Sequence, residues 1–353
     1  MTRASSNDLD YLATRLHARR SRMAEAERLE ELCRLRSLPE LSRAVFPGAE
    51  ISVAADFQRR LVQNLIWEIF GCLKHLDDEG GDLVAWLLAR FQLENLKILV
   101  RGFLNHKPLE SLQPHLVALP ARLDCEPAAL LAAKSLDDFI SLLPADGPRH
   151  RLQALVAGQH EPPQCFLLEA ALDSGYFQEL LARTNRLSDG EAEIVKPLSS
   201  QEANLFQFSL VARGRFSFGL TADVLLPLRV GRGEADDEWF NTLLSAPDVI
   251  SLAGCGVGTV MDDLPVSLHS ADGSAETQLS SLEALAWQRY LRLANSAFRR
   301  SHLGVGAVAG YFGVRRMEIA NLVSLSECIR LGADDREIRT RMIRRAQLEA
   351  AHV

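Results

Sequence analysis

The chain has few of the residues that build cross-linked or metal-bound proteins. It has only six cysteines among 353 residues: Cys33, Cys72, Cys125, Cys165, Cys255 and Cys328. No two lie closer than 39 residues along the chain, so the C-x-x-C pair of many zinc and redox sites is absent. This spacing is typical of reduced, mostly buried thiols, and we expect a cytoplasmic protein without a disulfide framework.

Positive charge and long apolar runs are also scarce. Lys and Arg number 39 against 46 Asp and Glu, and the formal net charge is −7. A nucleic-acid partner would require a basic surface, so the composition argues against one. The longest uncharged stretches, 249–261 and 303–314, are rich in glycine and shorter than the roughly 18 residues of a membrane helix. We therefore expect no secretory signal and no transmembrane segment of the chain's own.

Patterns that carry catalysis are missing as well. The sequence contains no H-x-x-x-H pair, no G-x-x-x-x-G-K-[ST] loop and no G-x-S-x-G elbow, although a triad of distant residues stays open. The glycine cluster at 254–258 could approach a phosphate, but 261–265 do not begin the helix that a dinucleotide site needs. We predict an interhelical loop there, and no catalytic residue, cofactor or metal.

The sequence does show helical periodicity over most of its length. Apolar residues recur at helical spacing in long segments, which predicts an all-α fold. The predicted helices are 11–35, 57–76, 83–104, 151–157, 169–187, 199–214, 281–301, 310–331 and 334–350. Loops are predicted at 231–237 and 262–278. Residues 206–218 do not fit this pattern, because aromatic and polar residues alternate there as in a strand. A hairpin over 206–220 is therefore an open alternative to the helix.

An Asn-Leu pair followed by Arg and Gly occurs three times. The copies are Asn95-Leu96 with Arg101-Gly102, Asn204-Leu205 with Arg213-Gly214, and Asn321-Leu322 with Arg330 and Gly332. The Asn residues lie 109 and 117 residues apart, which suggests three similar helical units over 1–120, 121–235 and 236–353. An off-period copy at Asn64-Leu65 shows that the dipeptide alone is weak support. The chain is also longer than one core usually allows, which favours several units.

Two residue types on these helices raise further expectations. Asn is a mediocre helix former, so three Asn in related positions predict a hydrogen bond between helices, repeated in each unit. Gly332 is predicted to end its helix in the left-handed conformation.

The charged clusters also carry expectations. Basic clusters at 15–22, 299–300, 315–316 and 336–345 have acidic neighbours and indicate a charged outer face. A docking surface for an acidic partner is the open alternative. Acidic pairs such as 334–335 are expected to cap helices or lie in solvated loops rather than to act in acid/base catalysis.

Four stretches together resemble a known family, the C subunits of V/A-type ATPases, whose eukaryotic counterpart is the d subunit of the vacuolar ATPase. They are Tyr11–Arg19, Glu94–Arg101, Leu172–Phe177 and Tyr311–Gly332, the last containing Glu318-Ile319-Ala320-Asn321-Leu322. Two departures stand out. The family often has Lys-Glu where this chain has Arg315-Arg316, and the Arg six residues after the Asn is missing from the second and third copies.

The resemblance implies a fold of three similar helical bundles around a pseudo-threefold axis, shaped like a funnel, and favours helix over hairpin near Phe206. It also implies a subunit without an active site. Such a subunit lies on the cytoplasmic face of the membrane proteolipid ring, receives the central stalk and couples the ATP-hydrolysing sector to proton or sodium transport. The alternative from another class is a soluble helical scaffold without a rotary role.

Overall fold

The computed structural model describes residues 6–157, 163–231, 233–264, 275–301 and 303–343. These residues form α-helices and short 3₁₀ turns, and the described part contains no strand beyond an isolated bridge between Val257 and Met261. The predicted all-α class is therefore confirmed. The helices are α1 Ser6–Arg20, α2 Ala26–Leu32, α3 Leu38–Val45, α4 Ala54–Phe70, α5 Asp78–Leu104, α6 Leu109–Leu112, α7 Pro127–Leu131, α8 Leu136–Ser141, α9 Gly147–Val156, α10 Cys165–Thr184, α11 Asp189–Phe216, α12 Ala222–Leu225, α13 Glu234–Ser245, α14 Val249–Gly256, α15 Ala275–Arg300, α16 Val305–Leu331 and α17 Asp335–Arg341.

One order of elements recurs three times along the chain. A long helix (α4, α10 or α15) is followed by a helix of 27 or 28 residues (α5, α11 or α16), and then by a short helix (α6, α12 or α17). By compactness the chain divides into two units, which we call the first unit (residues 1–84 and 287–353) and the second unit (residues 85–286). The division into 1–120, 121–235 and 236–353 remains a prediction that the recurring order supports.

The predicted helices are found, with corrected boundaries. The hairpin alternative for 206–220 is wrong, because α11 runs without interruption to Phe216. Its aromatic residues have strand propensity, but Phe208 and neighbouring Leu205 and Val211 are buried on the packed side of a 28-residue helix. Tertiary packing overrides local propensity in such a case. The predicted helix over 11–35 is broken between Arg20 and Ala26.

The glycine cluster at 254–258 is not simply a loop. Helix α14 extends through Gly256, and its start is fixed by the Asp248 carboxylate, which accepts a hydrogen bond of 2.7 Å from the Ser251 N–H. A good N-cap stabilises a helix by about 1 kcal/mol, which offsets the poor helix propensity of one glycine. Gly258 follows with a φ of +77° and turns the chain.

The C-terminal helical segment fits the prediction in part. Gly332 ends α16 with φ 69° and ψ 30°, so the predicted left-handed cap is confirmed. Asp334 caps α17 by accepting from the Glu337 N–H at 2.8 Å, as expected for an acidic pair at a helix start. Helix α17 ends at Arg341, and residues 344–350 of the predicted helix lie outside the described residues. None of the helices in the described ranges is long and apolar enough to cross a membrane.

Candidate functional site

Asn95 ties the middle of α5 to the chain that returns after α6. Its Nδ2 donates to the Val117 carbonyl at 2.8 Å, and its Oδ1 accepts from the Val117 N–H at 2.9 Å. The Asn95 side chain is 4% exposed. One primary amide carries a donor and an acceptor in one plane, so it can pair with both backbone groups of one residue. We call this two-bond contact the amide strap.

The same amide strap occurs on α16. Asn321 donates to the Ile343 carbonyl at 2.8 Å and accepts from the Ile343 N–H at 2.8 Å, again 22 residues further along the chain. Asn321 is also 4% exposed. These two contacts correct the prediction that each Asn forms a hydrogen bond between two helices. The partner is the backbone of the returning segment, which has lost its helical hydrogen bonds and so has both groups free to pair.

In the middle of the chain the corresponding contact comes from Gln207, three residues after Asn204. The Gln207 Oε1 accepts from the Val230 N–H at 3.1 Å, 23 residues further on, and Gln207 is 2% exposed. Asn204 is only half-buried. Gln207 makes one of the two bonds of the amide strap, and we count it as the third strap residue. The three strap residues then lie 112 and 114 residues apart, which is more even than the Asn spacing.

Two glycines support this register. Gly102 and Gly214 each lie seven residues after a strap residue. A Cβ at Gly102 would overlap Leu112 of α6, and a Cβ at Gly214 would lie 2.8 Å from Leu225 of α12. The short helix therefore packs directly on the backbone of the long helix in both places. The leucines of the Asn-Leu pairs, Leu96, Leu205 and Leu322, are buried beside the straps.

Six residues after each strap residue, the long helix contacts a long helix from elsewhere in the chain. On α5 and α11 this position is an arginine: Arg101 pairs with Glu169 of α10, and Arg213 pairs with Glu283 of α15 at 2.7 Å. On α16 the position is Glu327, which accepts from Gln58 of α4 at 2.7 Å. When the middle copy is counted from Gln207 instead of Asn204, the arginine six residues further on is present, as Arg213. Arg330 pairs with Glu327 of its own helix at 2.7 Å, and its side chain is 58% exposed.

A buried charged cluster joins α4, α16 and the turn after α1 in the first unit. The Glu68 Oε2 accepts from the Tyr311 hydroxyl at 3.0 Å and from the Arg315 Nε at 3.4 Å. Glu318 pairs with Arg315 through one oxygen and accepts from the Ala24 N–H at 2.5 Å through the other. The Arg315 side chain is 12% exposed, so the predicted charged outer face is wrong for this residue.

The environment of this cluster raises the pKa values of Glu318 and Tyr311. Burial raises the pKa of the Glu318 carboxyl above its usual range, although the Arg315 guanidinium opposes the shift. Burial and the neighbouring Glu68 carboxylate raise the pKa of Tyr311. A carboxylate held by an arginine and a backbone N–H, and a phenol kept protonated, stabilise packing and do not form a nucleophile with a base.

The geometry therefore describes a framework. Within the described ranges, His, Cys, Asp and Glu side chains do not gather in any group of three or more that could hold a metal ion. The Asn residues of the repeated sequence pattern that form amide straps attach long helices to the segments that return along them. The function of the whole set as a repeat signature remains a prediction.

Replacing Asn321 by leucine is expected to lower the free energy of unfolding by about 2 kcal/mol. The change leaves the N–H and carbonyl of Ile343 without their buried partner, and an unpaired backbone group costs roughly 1–3 kcal/mol. Asn95→Leu should behave alike. The matched control is Asn204→Leu, a half-buried Asn outside the straps, for which a change below about 1 kcal/mol is expected. Urea unfolding followed by circular dichroism measures all three, and equal losses would contradict the assignment.

Comparison with known proteins connects this framework to a family. The sequence matches the family described as ATP synthase (C/AC39) subunit over residues 12–341. It is 21% identical over 261 residues to the C subunit of the A-type ATP synthase of Methanosphaera stadtmanae, covering 67% of this chain and 65% of that protein. It is 24% identical over 201 residues to the corresponding C subunit of Methanobrevibacter smithii, covering 55% and 50%. The chain thus spans half to about two thirds of the length of these relatives.

Proposed function

We propose a rotary coupling function for this chain, because it belongs to the ATP synthase (C/AC39) subunit family. In this proposal it is a non-catalytic rotor subunit of a V/A-type ATPase. It receives the central stalk of the ATP-hydrolysing sector and joins it to the membrane proteolipid ring. The observation that carries the proposal is the family match over residues 12–341, which extends across nearly the whole chain.

The framework of straps supports such a function on mechanical grounds. A part that passes torque between two neighbours must resist bending, since a part that bends takes up some of the rotation itself instead of passing it on. Helices α5, α11 and α16 are each 27 or 28 residues long, about 40 Å at 1.5 Å per residue. Each is held about two thirds of the way along by a buried amide, and against another long helix by a polar pair. Torque transmission needs this stiffness and no chemistry of its own.

The partners in this proposal are the central-stalk subunits and the proteolipid ring, with the chain peripheral on the cytoplasmic face of the membrane. The pseudo-threefold, funnel-like arrangement belongs to the proposal as well. A socket must hold both neighbours through many rotations, so we expect each interface to bury upward of about 1,200 Å². Protons or sodium ions are the transported ions, and the ring selects between them.

Affinity purification from gently solubilised native membranes tests the proposal. A tagged chain is expected to recover proteolipid and central-stalk subunits in a constant ratio. Recovery should persist through a salt wash, since interfaces of this size are not purely electrostatic. A soluble helical scaffold would instead be recovered from the soluble fraction without either of them, and that result would overturn the rotary proposal.

A further inference from the structure

One side of α4, in the first unit, presents an exposed tryptophan to solvent. Arg60, Trp67 and Gly71 follow one another at spacings of seven and four residues, so they lie along the same side of the helix. Trp67 is 52% exposed, and its ring meets that of Phe70 edge-on, with centroids 5.8 Å apart. We call this side of α4 the tryptophan face. About half of its central residue is apolar surface that the fold does not cover.

Unpaired cations lie at both ends of the tryptophan face. Arg60 is exposed and lies about 10 Å before Trp67 along the helix axis, at 1.5 Å per residue. At the other end Arg15 extends from α1, and a Cβ on Gly71 would lie 3.4 Å from its Nη2. Neither arginine forms an ion pair with another residue in the described ranges, although Arg60 lies over the Phe46 ring. The indole therefore lies between two guanidinium groups.

The two carboxylates of α4 do not neutralise these cations. Asp56 forms its ion pair with Arg59 at 3.2 Å. Glu68 accepts from Arg315 at 3.4 Å and belongs to the buried cluster described above. The net charge of α4 along the tryptophan face is therefore positive, in a chain whose formal net charge is −7.

A free amide completes the tryptophan face. Asn64 lies one helical turn before Trp67 and is half-buried. Its side chain forms no hydrogen bond with any residue in the described ranges, unlike the amides of the straps. This Asn is the off-period copy of the Asn-Leu pair. Its amide can donate to a carboxylate or to the backbone of a partner.

This combination is complementary to an acidic helix. Tryptophan and arginine are the residue types that contribute most at protein interfaces, and guanidinium groups bind carboxylates in a bidentate geometry. The side chains of a helix form a ridge, against which a second helix can pack. A membrane surface fits less well, because each cation contributes only about 1 kcal/mol there and stable attachment needs a second apolar signal.

We propose that the tryptophan face, together with Arg15, docks an acidic amphipathic helix of a partner protein. All of its residues belong to the first unit, so the proposal goes beyond the rotary function and depends on neither a membrane nor a ring. Its failure would leave the coupling function untouched. Failure of the coupling function would likewise leave the tryptophan face available to another partner.

The probe is a fluorescein-labelled synthetic helical peptide with glutamate along one face and leucine along the other. Fluorescence anisotropy measures its binding to the purified full-length chain, and a dissociation constant in the micromolar range is expected. Because the chain is acidic overall, general electrostatics repel this peptide, and binding reports a local basic site. A peptide with glutamine in place of glutamate should bind about tenfold more weakly or worse.

Two pairs of variants locate the binding. Trp67→Ala should weaken it by about tenfold or more, whereas Phe218→Ala, which truncates a 51% exposed aromatic residue of the second unit, should change it less than about threefold. Arg15→Gln/Arg60→Gln should also weaken binding by about tenfold or more. The matched control is Arg122→Gln/Lys134→Gln, which removes the same charge from exposed positions of the second unit. Circular dichroism of every variant checks that it is folded.

Three outcomes would overturn the proposal. Undetectable binding at about 100 μM peptide would show that the tryptophan face does not accept such a helix. Equal weakening by a variant and its control would place the binding elsewhere on the chain. Sedimentation of the chain with phosphatidylserine vesicles, lost in Trp67→Ala and not displaced by the peptide, would assign the tryptophan face to a membrane surface instead. Arg60→Gln alone, at an exposed position, keeps the test valid if the double variant does not fold.

Discussion

Replacement of Gly175 by valine is expected to lower the free energy of unfolding by about 3 kcal/mol or more. Helices α9 and α10 touch at their backbones here, and a Cβ on Gly175 would overlap the Gly147 carbonyl group and the Pro148 nitrogen. A backbone cannot move aside as a flexible side chain can, so the two helices must separate. Overpacking of a close contact costs about 1–3 kcal/mol and sometimes more. Denaturant unfolding of the purified chain measures the loss.

Gly190 provides the control for this substitution. It also lies in a helix of the second unit, but a Cβ there would meet no atom within 4 Å. Gly190→Ala is expected to raise the free energy of unfolding by less than about 1 kcal/mol, because alanine restricts the conformations of the unfolded chain. If Gly175→Val lost no more stability than Gly190→Ala, the α9–α10 contact would be looser than the structure shows.

Replacement of Arg315 by methionine is expected to cost about 3–5 kcal/mol. The guanidinium is the cation between the Glu68 and Glu318 carboxylates, and methionine would leave the buried Glu318 carboxylate and the partly buried Glu68 carboxylate without it. Removing one partner of a buried ion pair has this cost because an uncompensated charge stays buried. Arg330→Met on the same helix is the matched control, since Arg330 is 58% exposed and also pairs with a glutamate three residues away. Exposed pairs contribute less than about 1 kcal/mol.

The loss caused by Arg315→Met should depend on pH. Because the pKa of Glu318 in the folded protein is raised above its ordinary value of 4.5, folding favours the protonated carboxyl. The contribution of Glu318 to stability is therefore greatest below pH 4.5 and falls as the pH rises through the folded pKa. Without Arg315 that pKa rises further, so the variant should lose more stability at pH 8 than at pH 5. A deficit that is equal at both pH values would show that the pair is not buried as described.

The fold was predictable where one period governed a long segment. Helices α5 and α16 follow from their apolar spacing. Gly332 ends α16 as expected, because glycine readily takes the left-handed conformation that this helix end requires. The segment around Phe206 could not be decided locally. Its alternation of aromatic and polar residues satisfies a strand, and only packing along α11 makes it helical.

The framework was predictable in part. Asn95 and Asn321 could be predicted, because an unfavourable helix residue recurs at both positions. Their partners Val117 and Ile343 could not, because these residues bond through backbone groups, which every residue type has. Gln207 was missed because it shares no dipeptide with the two Asn residues. The glycines seven residues further on, Gly102 and Gly214, were the available signal.

The most direct test of the rotary account is a measurement of ATP-driven ion transport into vesicles. The vesicles carry the ATPase assembled without this chain, and transport is measured before and after the purified chain is added back. The account predicts that ATP hydrolysis by the soluble sector persists without the chain. Ion transport should be absent without it and return in proportion to the amount of chain that binds. Transport that proceeds at an undiminished rate without the chain would contradict the account.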